Sequence, residues 1–353
     1  MKKLLVLLAL MSSAALAQDI NGAGATFPDP LYQKMFSVYN EQFGIQVNYQ
    51  AIGSGGGRSA LLDQTVDFAG TDAFFSDEEL ASAPGQILHI PMAEGAVVLA
   101  YNFEPLDQAP EGGLVLDGET VANIFLGNIT RWDDDAIAQL NPDAELPDLP
   151  ITVAHRSDGS GTTSIFVDYL AKVSEQWASD ISTGPESSVN WPVGIGGDGN
   201  PGVSSIVGDT PGAIGYVGLE YAEANDLAYT NMINAAGNTV EPTLDAVAAA
   251  ADIELPDDLR ATFTNSDAPD AWPIAGFTWA TLYQDQNYAD RSQEQAQTTV
   301  NLVNWMLTEG QQYNNALNYG QITGGVQSRA SEILGTVTYG GEALTPEAPS
   351  ANN

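Results

Sequence analysis

Hydrophobic residues recur along the chain with two different spacings, and these predict helices and strands. Leu31, Met35 and Tyr39 fall on one face of a helix, and Gly44 is placed to end it. Residues 45–52 then alternate between apolar and polar side chains, which is the pattern of a half-buried strand. The N-terminal part of the chain therefore contains a helix that leads into a strand.

The alternation continues with short glycine-rich connections. We predict a turn over 53–57, a short helix over 59–64 and a strand over 66–70. A later strand over 151–154 leads into a helix whose apolar stripe extends to Trp177. Strands that alternate with helices in this way are typical of α/β domains built on parallel sheets, and this is the fold class that we predict.

Candidate domain boundaries lie near residues 90–101, where the apolar run 96–101 begins, and near Trp272 and Pro273, which precede the apolar run 277–283. Each apolar run could be a core strand of one domain. Alternatively, they could be paired crossovers between two domains, which would make the first domain discontinuous. On this interpretation the chain consists of a signal peptide over 1–17, a lobe I over 18–95 and 275–340, a lobe II over 96–274, and a flexible tail over 341–353.

The N-terminus has the three parts of a secretory signal. Lys2 and Lys3 precede an apolar run over 4–10, and Ala15 and Ala17 are the small residues expected before a cleavage site. The apolar run is too short to span a bilayer. The chain has no cysteine for a lipid anchor or a disulfide. We therefore expect a periplasmic protein that is released by cleavage of the signal peptide. Without disulfides, its fold must be stabilised by side-chain packing.

The charge balance is unusual, with 46 acidic and 10 basic residues and a net charge of −36. Loss of Lys2 and Lys3 with the signal would leave 8 basic residues and a net charge of −38. The acidic residues lie beside apolar residues of predicted helices, which indicates solvated faces adapted to high salt. We therefore expect a halophilic source and a monomer, and nucleic acid is excluded as a partner for such a surface.

Three turns follow predicted strands and precede predicted helices, at residues 22–28, 53–57 and 156–162. Ligands of open α/β sheets collect beyond the carboxyl ends of the strands, and unpaired N–H groups at helix starts attract anions. One such turn is weak evidence for a ligand site, because Thr26 or Ser160 could be an ordinary helix cap. Three of them in one chain favour an oxyanion site.

Two charged residues refine this hypothesis. Arg156 is one of few cations and adjoins a helix start, although a surface ion pair with Asp158 would also explain it. Asp72 ends a predicted strand, and it could simply cap the next turn. An ionised aspartate only accepts hydrogen bonds, so it would admit a protonated oxyanion such as phosphate and repel fully deprotonated sulfate. Arsenate is protonated like phosphate, so it remains an alternative ligand.

Other classes of protein fit less well. A hydrolase would need a nucleophile with a base, but the chain has only two histidines, no cysteine and no Gly-x-Ser-x-Gly elbow. We therefore expect no enzyme activity, no metal and no cofactor. Sulfate or molybdate binding on the same fold is a second alternative, and a structural surface protein without any ligand is a third.

Several motifs together resemble one family. They are GAGATFPDPLY at 22–32, NYQAIGSGGG at 48–57, TVDFAGTDA at 65–73, RSDGSGTT at 156–163 and WPVGIGGDGNPGV at 191–203. The chain resembles the periplasmic phosphate-binding proteins of bacterial phosphate ABC transporters. The resemblance implies a two-lobed type II periplasmic binding fold, with two mixed sheets joined by crossover strands. It also implies that phosphate is bound between the lobes and delivered to inner-membrane permease subunits.

The resemblance also implies which residues bind. The ligand-binding residues would be Thr26, Phe27, Ser54, Asp72, Arg156, Ser160, Gly161 and Thr162, with Asp158 pairing with Arg156 behind them. Asp72 matches the carboxylate that accepts from the protonated ligand. Gly55 departs from the family, which often has a second serine there, and His155 stands where a basic residue is frequent. Neither departure removes a proposed contact.

Overall fold

The computed structural model describes residues 19–103, 113–181 and 189–347. The predicted signal peptide, 1–17, and residues 348–353 of the predicted tail lie outside the described residues. The described strands are β1 (Ile20–Gly24), β2 (Val47–Ala51), β3 (Phe68–Thr71), β4 (Ile87–Tyr101), β5 (Val115–Asp117), β6 (Thr152–Arg156), β7 (Ile195–Gly197), β8 (Ala213–Gly218), β9 (Ala228–Tyr229), β10 (Asn231–Ile233), β11 (Thr239–Val240), β12 (Ala275–Tyr283), β13 (Thr338–Tyr339) and β14 (Glu342–Ala343).

Helices alternate with most of these strands along the chain. The described helices are α1 (Asp29–Phe43), α2 (Gly53–Leu62), α3 (Asp77–Ser82), α4 (Gly118–Leu126), α5 (Asp135–Leu140), α6 (Gly161–Val173), α7 (Glu175–Asp180), α8 (Gly199–Asp209), α9 (Leu219–Ala224), α10 (Leu244–Ala251), α11 (Gln293–Leu307) and α12 (Gly324–Leu334). Within the described ranges, none of these helices combines the length and the apolar composition needed to cross a membrane.

Strand β4 links two halves of the main sheet, whose order is β2-β1-β3-β12-β4-β8-β6-β7. The first part of β4 runs antiparallel to β12 as far as the pair of Ala96 with Ala275. From Val97 onward β4 pairs with β8 instead. Every residue of β4 is buried. Two mixed half-sheets therefore meet at Ala96 and Ala275, at the start of the predicted segment 96–101 and just before the predicted segment 277–283. The division into lobes I and II at these positions remains a prediction.

Each half-sheet contains a parallel group of strands. In lobe I, β1 lies between β2 and β3 and is parallel to both. In lobe II, β6 lies between β7 and β8 and is parallel to both. The carboxyl ends of three parallel strands therefore converge within each lobe, and loops at these ends are where ligands collect in open α/β sheets.

Two predicted helix limits were wrong. Helix α2 begins at Gly53 and not near residue 59, although glycine is a weak helix former. Close packing explains this, because a Cβ atom on Gly57 would lie 2.4 Å from the Cα atom of Gly24 in β1. The helix predicted to reach Trp177 is interrupted at Ser174, whose side chain accepts from the Trp177 N–H and so starts α7.

The end of the described chain packs against lobe I. β13 and β14 form a hairpin, and Leu344 is buried. Residues 341–347, which the sequence analysis assigned to a flexible tail, thus include a strand and a core side chain.

Candidate anion-binding site

All the residues predicted to bind an anion lie at the junction of the two lobes. Thr26 and Phe27 follow β1, Ser54 lies in the first turn of α2, and Asp72 follows β3. From lobe II, Arg156 ends β6 and the segment 160–162 starts α6. Each of these side chains is at most 5% exposed. The structure therefore brings together residues from four strand–helix connections in a site shielded from solvent.

Asp72 provides an acceptor without a partner. Its N–H group donates to Ser54 Oγ at 3.1 Å, and the same hydroxyl lies 3.4 Å from Asp72 Oδ2. Asp72 Oδ1 has no hydrogen-bond partner in the described part of the chain. Burial raises the pKa of Asp72 to about 7, although the nearby Thr278 and Arg156 act to lower it. A buried acceptor left open in this way is expensive unless a ligand supplies a donor.

Arg156 is held in place by Asp158. Its Nε donates to Asp158 Oδ1 at 2.6 Å, and its Nη2 pairs with Oδ2 of the same carboxylate. Its Nη1 donates to Thr162 Oγ1 at 3.3 Å. These contacts use three of the five guanidinium N–H groups, which leaves two for a ligand. Burial acts to raise the pKa of Asp158, but the hydrogen bonds and charge of Arg156 outweigh it and hold the pKa below its ordinary value.

Helix α6 presents its first turn to the opposite lobe. Ser160 caps it, with Oγ accepting from the Thr163 N–H at 3.0 Å. The N–H groups of Gly161 and Thr162 lie in the first helical turn and have no partner within the helix. A Cβ atom on Gly161 would lie 2.4 Å from Ser54 Oγ and 2.6 Å from Asp72 Oδ2. Only glycine permits this close approach of the helix start to lobe I.

Asn200, at the start of α8, is a site residue that the sequence analysis missed. Its N–H and Nδ2 groups donate to Thr26 Oγ1 at 3.1 and 3.0 Å, and Nδ2 also lies 3.1 Å from Thr162 Oγ1. The hydroxyl oxygens of Thr26 and Thr162 therefore accept hydrogen bonds from nitrogen donors. The proton of each hydroxyl points away from these donors and is free to donate to another group. Asn200 occupies a glycine-rich strand–helix turn like the other three, and this signal could have identified it.

The lobes touch at the site, and two cavities adjoin residues of it. Gly55 N donates to Gly159 O at 2.9 Å between the lobes. A cavity of about 220 Å³ adjoins Asp72 and is lined by both lobes, including Phe74 and Ile165. Another, of about 290 Å³, adjoins Arg156.

The two histidines of the chain have partners other than the hydroxyls of the site. Nε2 of His89 accepts from the Phe75 N–H, and burial lowers the pKa of His89 to about 3. His155 stacks on Trp191 and its Nδ1 lies 3.0 Å from Arg156 O. Neither histidine contacts a hydroxyl of the site. Among the described residues, no group of three or more potential ligands could hold a metal ion.

Two α/β lobes that share a crossover strand, with buried donors and one acceptor converging between them, define the class of periplasmic-type binding proteins. Consistent with this, the PBP superfamily domain matches residues 11–309. The chain is 40% identical to a phosphate-binding protein PstS of Pasteurella multocida, covering 90% of this chain and 91% of that one. It is 36% identical to a PstS of Methanocaldococcus jannaschii, covering 83% of this chain and 79% of that one.

The chain belongs to the PstS family of phosphate-binding proteins, which are substrate-binding components of transport systems and not enzymes. This confirms the family that the sequence analysis identified and its expectation of no enzyme. The fold is also shared with solved structures. A phosphate-bound, high-affinity periplasmic phosphate-binding protein (PfluDING) matches with a TM-score of 0.71 and 22% identity, covering 94% of this chain and 97% of that one.

A phosphate-bound ABC-transporter substrate-binding protein from Clostridium perfringens matches with a TM-score of 0.61 and 16% identity, covering 87% of this chain and all of that one. These two structures confirm the predicted two-lobed type II periplasmic binding fold.

Proposed function

We propose that this protein captures inorganic phosphate between its lobes and delivers it to the permease subunits of a phosphate ABC importer. The names of its relatives support phosphate as the ligand. The observation that carries the proposal is the buried Oδ1 atom of Asp72, which has no partner among the described residues. It lies near the N–H and O–H donors of Arg156, Ser54 and the start of α6.

An unpartnered carboxylate oxygen beside hydrogen-bond donors would make the site selective between anions. Phosphate near neutral pH carries at least one proton and can donate to Asp72, whereas sulfate has no proton and would place its oxygen lone pairs against the carboxylate. Arsenate carries protons as phosphate does, so the proposal includes it as a second ligand. Asp72 is thus the proposed acceptor that selects against sulfate.

The donors are sufficient for tight binding. Charge-assisted hydrogen bonds are worth roughly 1.5 to 3 kcal/mol each, and micromolar affinity needs about 8 kcal/mol in total. The proposed donors are the N–H groups of Phe27, Gly161 and Thr162, the hydroxyls of Thr26, Ser54, Ser160 and Thr162, and the guanidinium of Arg156. A few of these donors would provide the required free energy even after desolvation.

In the proposed transport cycle, closure of the two lobes signals to the permease that phosphate is bound. Lobe I, over 18–95 and 275–340, and lobe II, over 96–274, would separate by bending near Ala96 and Ala275 and close on phosphate. The permease would then recognise the closed form. We place the protein in the periplasm as a monomer, exported by a cleaved signal over 1–17.

Calorimetry on ligand-stripped protein in molar salt tests the proposed ligand. Phosphate and arsenate should release heat on binding, and sulfate should not. Asp72→Asn supplies an amide donor at the same position, so it should weaken phosphate binding and allow sulfate to bind. Sulfate that competes equally with phosphate in the unmutated protein would contradict the role of Asp72, and absence of phosphate binding would contradict the function.

We also propose that the acidic surface is an adaptation to high salt. At the net charge of −36, mutual repulsion is long-ranged in dilute buffer and is screened within about 3 Å at 1 M salt. Circular dichroism should show a higher melting temperature in molar potassium chloride than in low salt. An unchanged melting temperature would count against a halophilic origin.

A further inference from the structure

Three consecutive carbonyl groups in the turn between β1 and α1 each accept a hydrogen bond from a tyrosine hydroxyl. The three pairs are Tyr49 with Ala25 at 2.9 Å, Tyr221 with Thr26 at 2.6 Å, and Tyr319 with Phe27 at 2.6 Å. The tyrosines come from different parts of the chain. Tyr49 belongs to β2 in lobe I, whereas Tyr221 belongs to α9 in lobe II.

A capped carbonyl fixes the direction of the N–H group in the same peptide. In a trans peptide these two groups point to opposite sides of the chain. The carbonyl of Ala25 shares its peptide with the N–H of Thr26, and the carbonyl of Thr26 shares its peptide with the N–H of Phe27. Within the described part of the chain, neither N–H group donates to a protein acceptor.

Capping also strengthens the donor. Hydrogen bonds in a chain polarise one another, by roughly 10–30% per bond in a low-dielectric interior. Tyr221 is 8% exposed, and burial raises its pKa above its ordinary value, so its hydroxyl stays protonated and donates. A hydroxyl that donates to the carbonyl of Thr26 therefore makes the N–H of Phe27 a better donor to an anion.

We propose that Tyr49 and Tyr221 are positioning residues, which direct and polarise the N–H groups of Thr26 and Phe27 toward the bound anion. This inference rests on the proposed function. Because Tyr221 reaches Thr26 from the opposite lobe, its bond forms only when the lobes meet. The Phe27 donor is thus completed by closure.

Tyr319 provides a control within the same turn. It caps the carbonyl of Phe27, whose peptide partner is Pro28, and proline has no N–H group. Tyr319→Phe removes a hydrogen bond of the same kind from the neighbouring peptide without weakening any N–H donor. Tyr39→Phe is a second control, because the buried hydroxyl of Tyr39 has no partner among the described residues.

The test is the amide proton chemical shift of Thr26 and Phe27 in phosphate-saturated, nitrogen-15-labelled protein. Tyr221→Phe should move the Phe27 amide proton upfield, and Tyr49→Phe should do the same to Thr26. Tyr319→Phe and Tyr39→Phe should move both protons less. Because the protein is saturated with phosphate, the chemical shifts do not depend on the affinity of each variant. Tyr49 and Tyr221 lie in different lobes, so the test remains possible if one of the two variants folds poorly.

Affinity gives the second readout. Tyr49→Phe and Tyr221→Phe should each raise the Kd for phosphate about fivefold over the Tyr319→Phe variant, as expected for one weakened hydrogen bond. Equal effects of Tyr221→Phe and Tyr319→Phe on the Phe27 proton would overturn the inference while leaving phosphate binding intact. Failure of the unmutated protein to bind phosphate would instead overturn the proposed function.

Discussion

The two lobes contribute opposite kinds of group to the site. Lobe II supplies the cation, Arg156, and already neutralises it with Asp158. Lobe I supplies Asp72, a carboxylate with an open acceptor atom and a pKa raised to about 7 by burial. Under the proposed function, this difference separates attraction from selection. Donors from both lobes would hold the anion, and ionised Asp72 would accept a hydrogen bond only from an anion that carries a proton.

The largest expected effect concerns the lobe I carboxylate and pH. Asp72 has an ordinary pKa of 3.8 and a folded-state pKa of about 7, so the folded protein binds the proton more tightly than the unfolded chain. Its contribution to the free energy of unfolding is complete below pH 4 and is lost as the pH rises through 7, by up to about 4 kcal/mol. Denaturant titrations of ligand-free protein should show Asp72→Asn flattening this decline.

Glu94 is the matched control for that prediction. Burial raises the pKa of Glu94 to about 7 as well, but Glu94 is outside the proposed site. Glu94→Gln should flatten the same decline and leave the preference for phosphate over sulfate unchanged, whereas Asp72→Asn should change both. A decline in Asp72→Asn that is as steep as in the unmutated protein would show that ionised Asp72 does not destabilise the folded protein.

The next effect concerns the lobe II cation. Arg156→Gln removes the charged donors and leaves the partly buried Asp158 without its ion-pair partner, so phosphate affinity should fall at least about a hundredfold. Calorimetry measures the change. Arg131→Gln is the control, because Arg131 also belongs to lobe II and pairs with Asp133, but its side chain is 44% exposed. A loss within a few-fold of the control would show that Arg156 does not contact the anion.

A smaller effect is expected from separating the two lobes. Gly161→Ala would place a methyl group against Ser54 and Asp72, and the contact is too short for the present approach of the lobes. The phosphate Kd should rise about tenfold, mostly through faster dissociation in stopped-flow measurements. Gly325→Ala is the control, since nothing lies within 4 Å of its added Cβ atom. Equal dissociation rates in both variants would mean that α6 does not meet lobe I in the bound state.

Local patterns were enough to predict much of the site. Arg156, Asp72 and the capped start of α6 each belong to a strand–turn–helix sequence that is recognisable within ten residues. Asn200 has such a local signal as well, but its contact with Thr26, 174 residues away, could not be predicted, and neither could the contact of Tyr221 with Thr26 across 195 residues. Their roles depend on how the lobes meet, and no local pattern encodes that contact.

The helix limits also show that local sequence predicts some features, whereas others depend on contacts between distant residues. The glycine run from Gly53 predicted a turn from local propensity, but packing of Gly57 on β1 allows a helix there. The sequence showed two apolar segments as crossover candidates, but the pairing of Ala96 with Ala275 could only be seen in the folded chain.

The most direct test of the central claim is a high-resolution crystal structure of the phosphate complex near pH 8. The account predicts phosphate between the lobes, with one oxygen about 2.5–2.7 Å from Asp72 Oδ1, as in a hydrogen bond from a protonated oxygen to a carboxylate. Arg156 and the start of α6 should contact the other oxygens. Phosphate bound to lobe II alone, or beyond hydrogen-bond distance of Asp72, would contradict it.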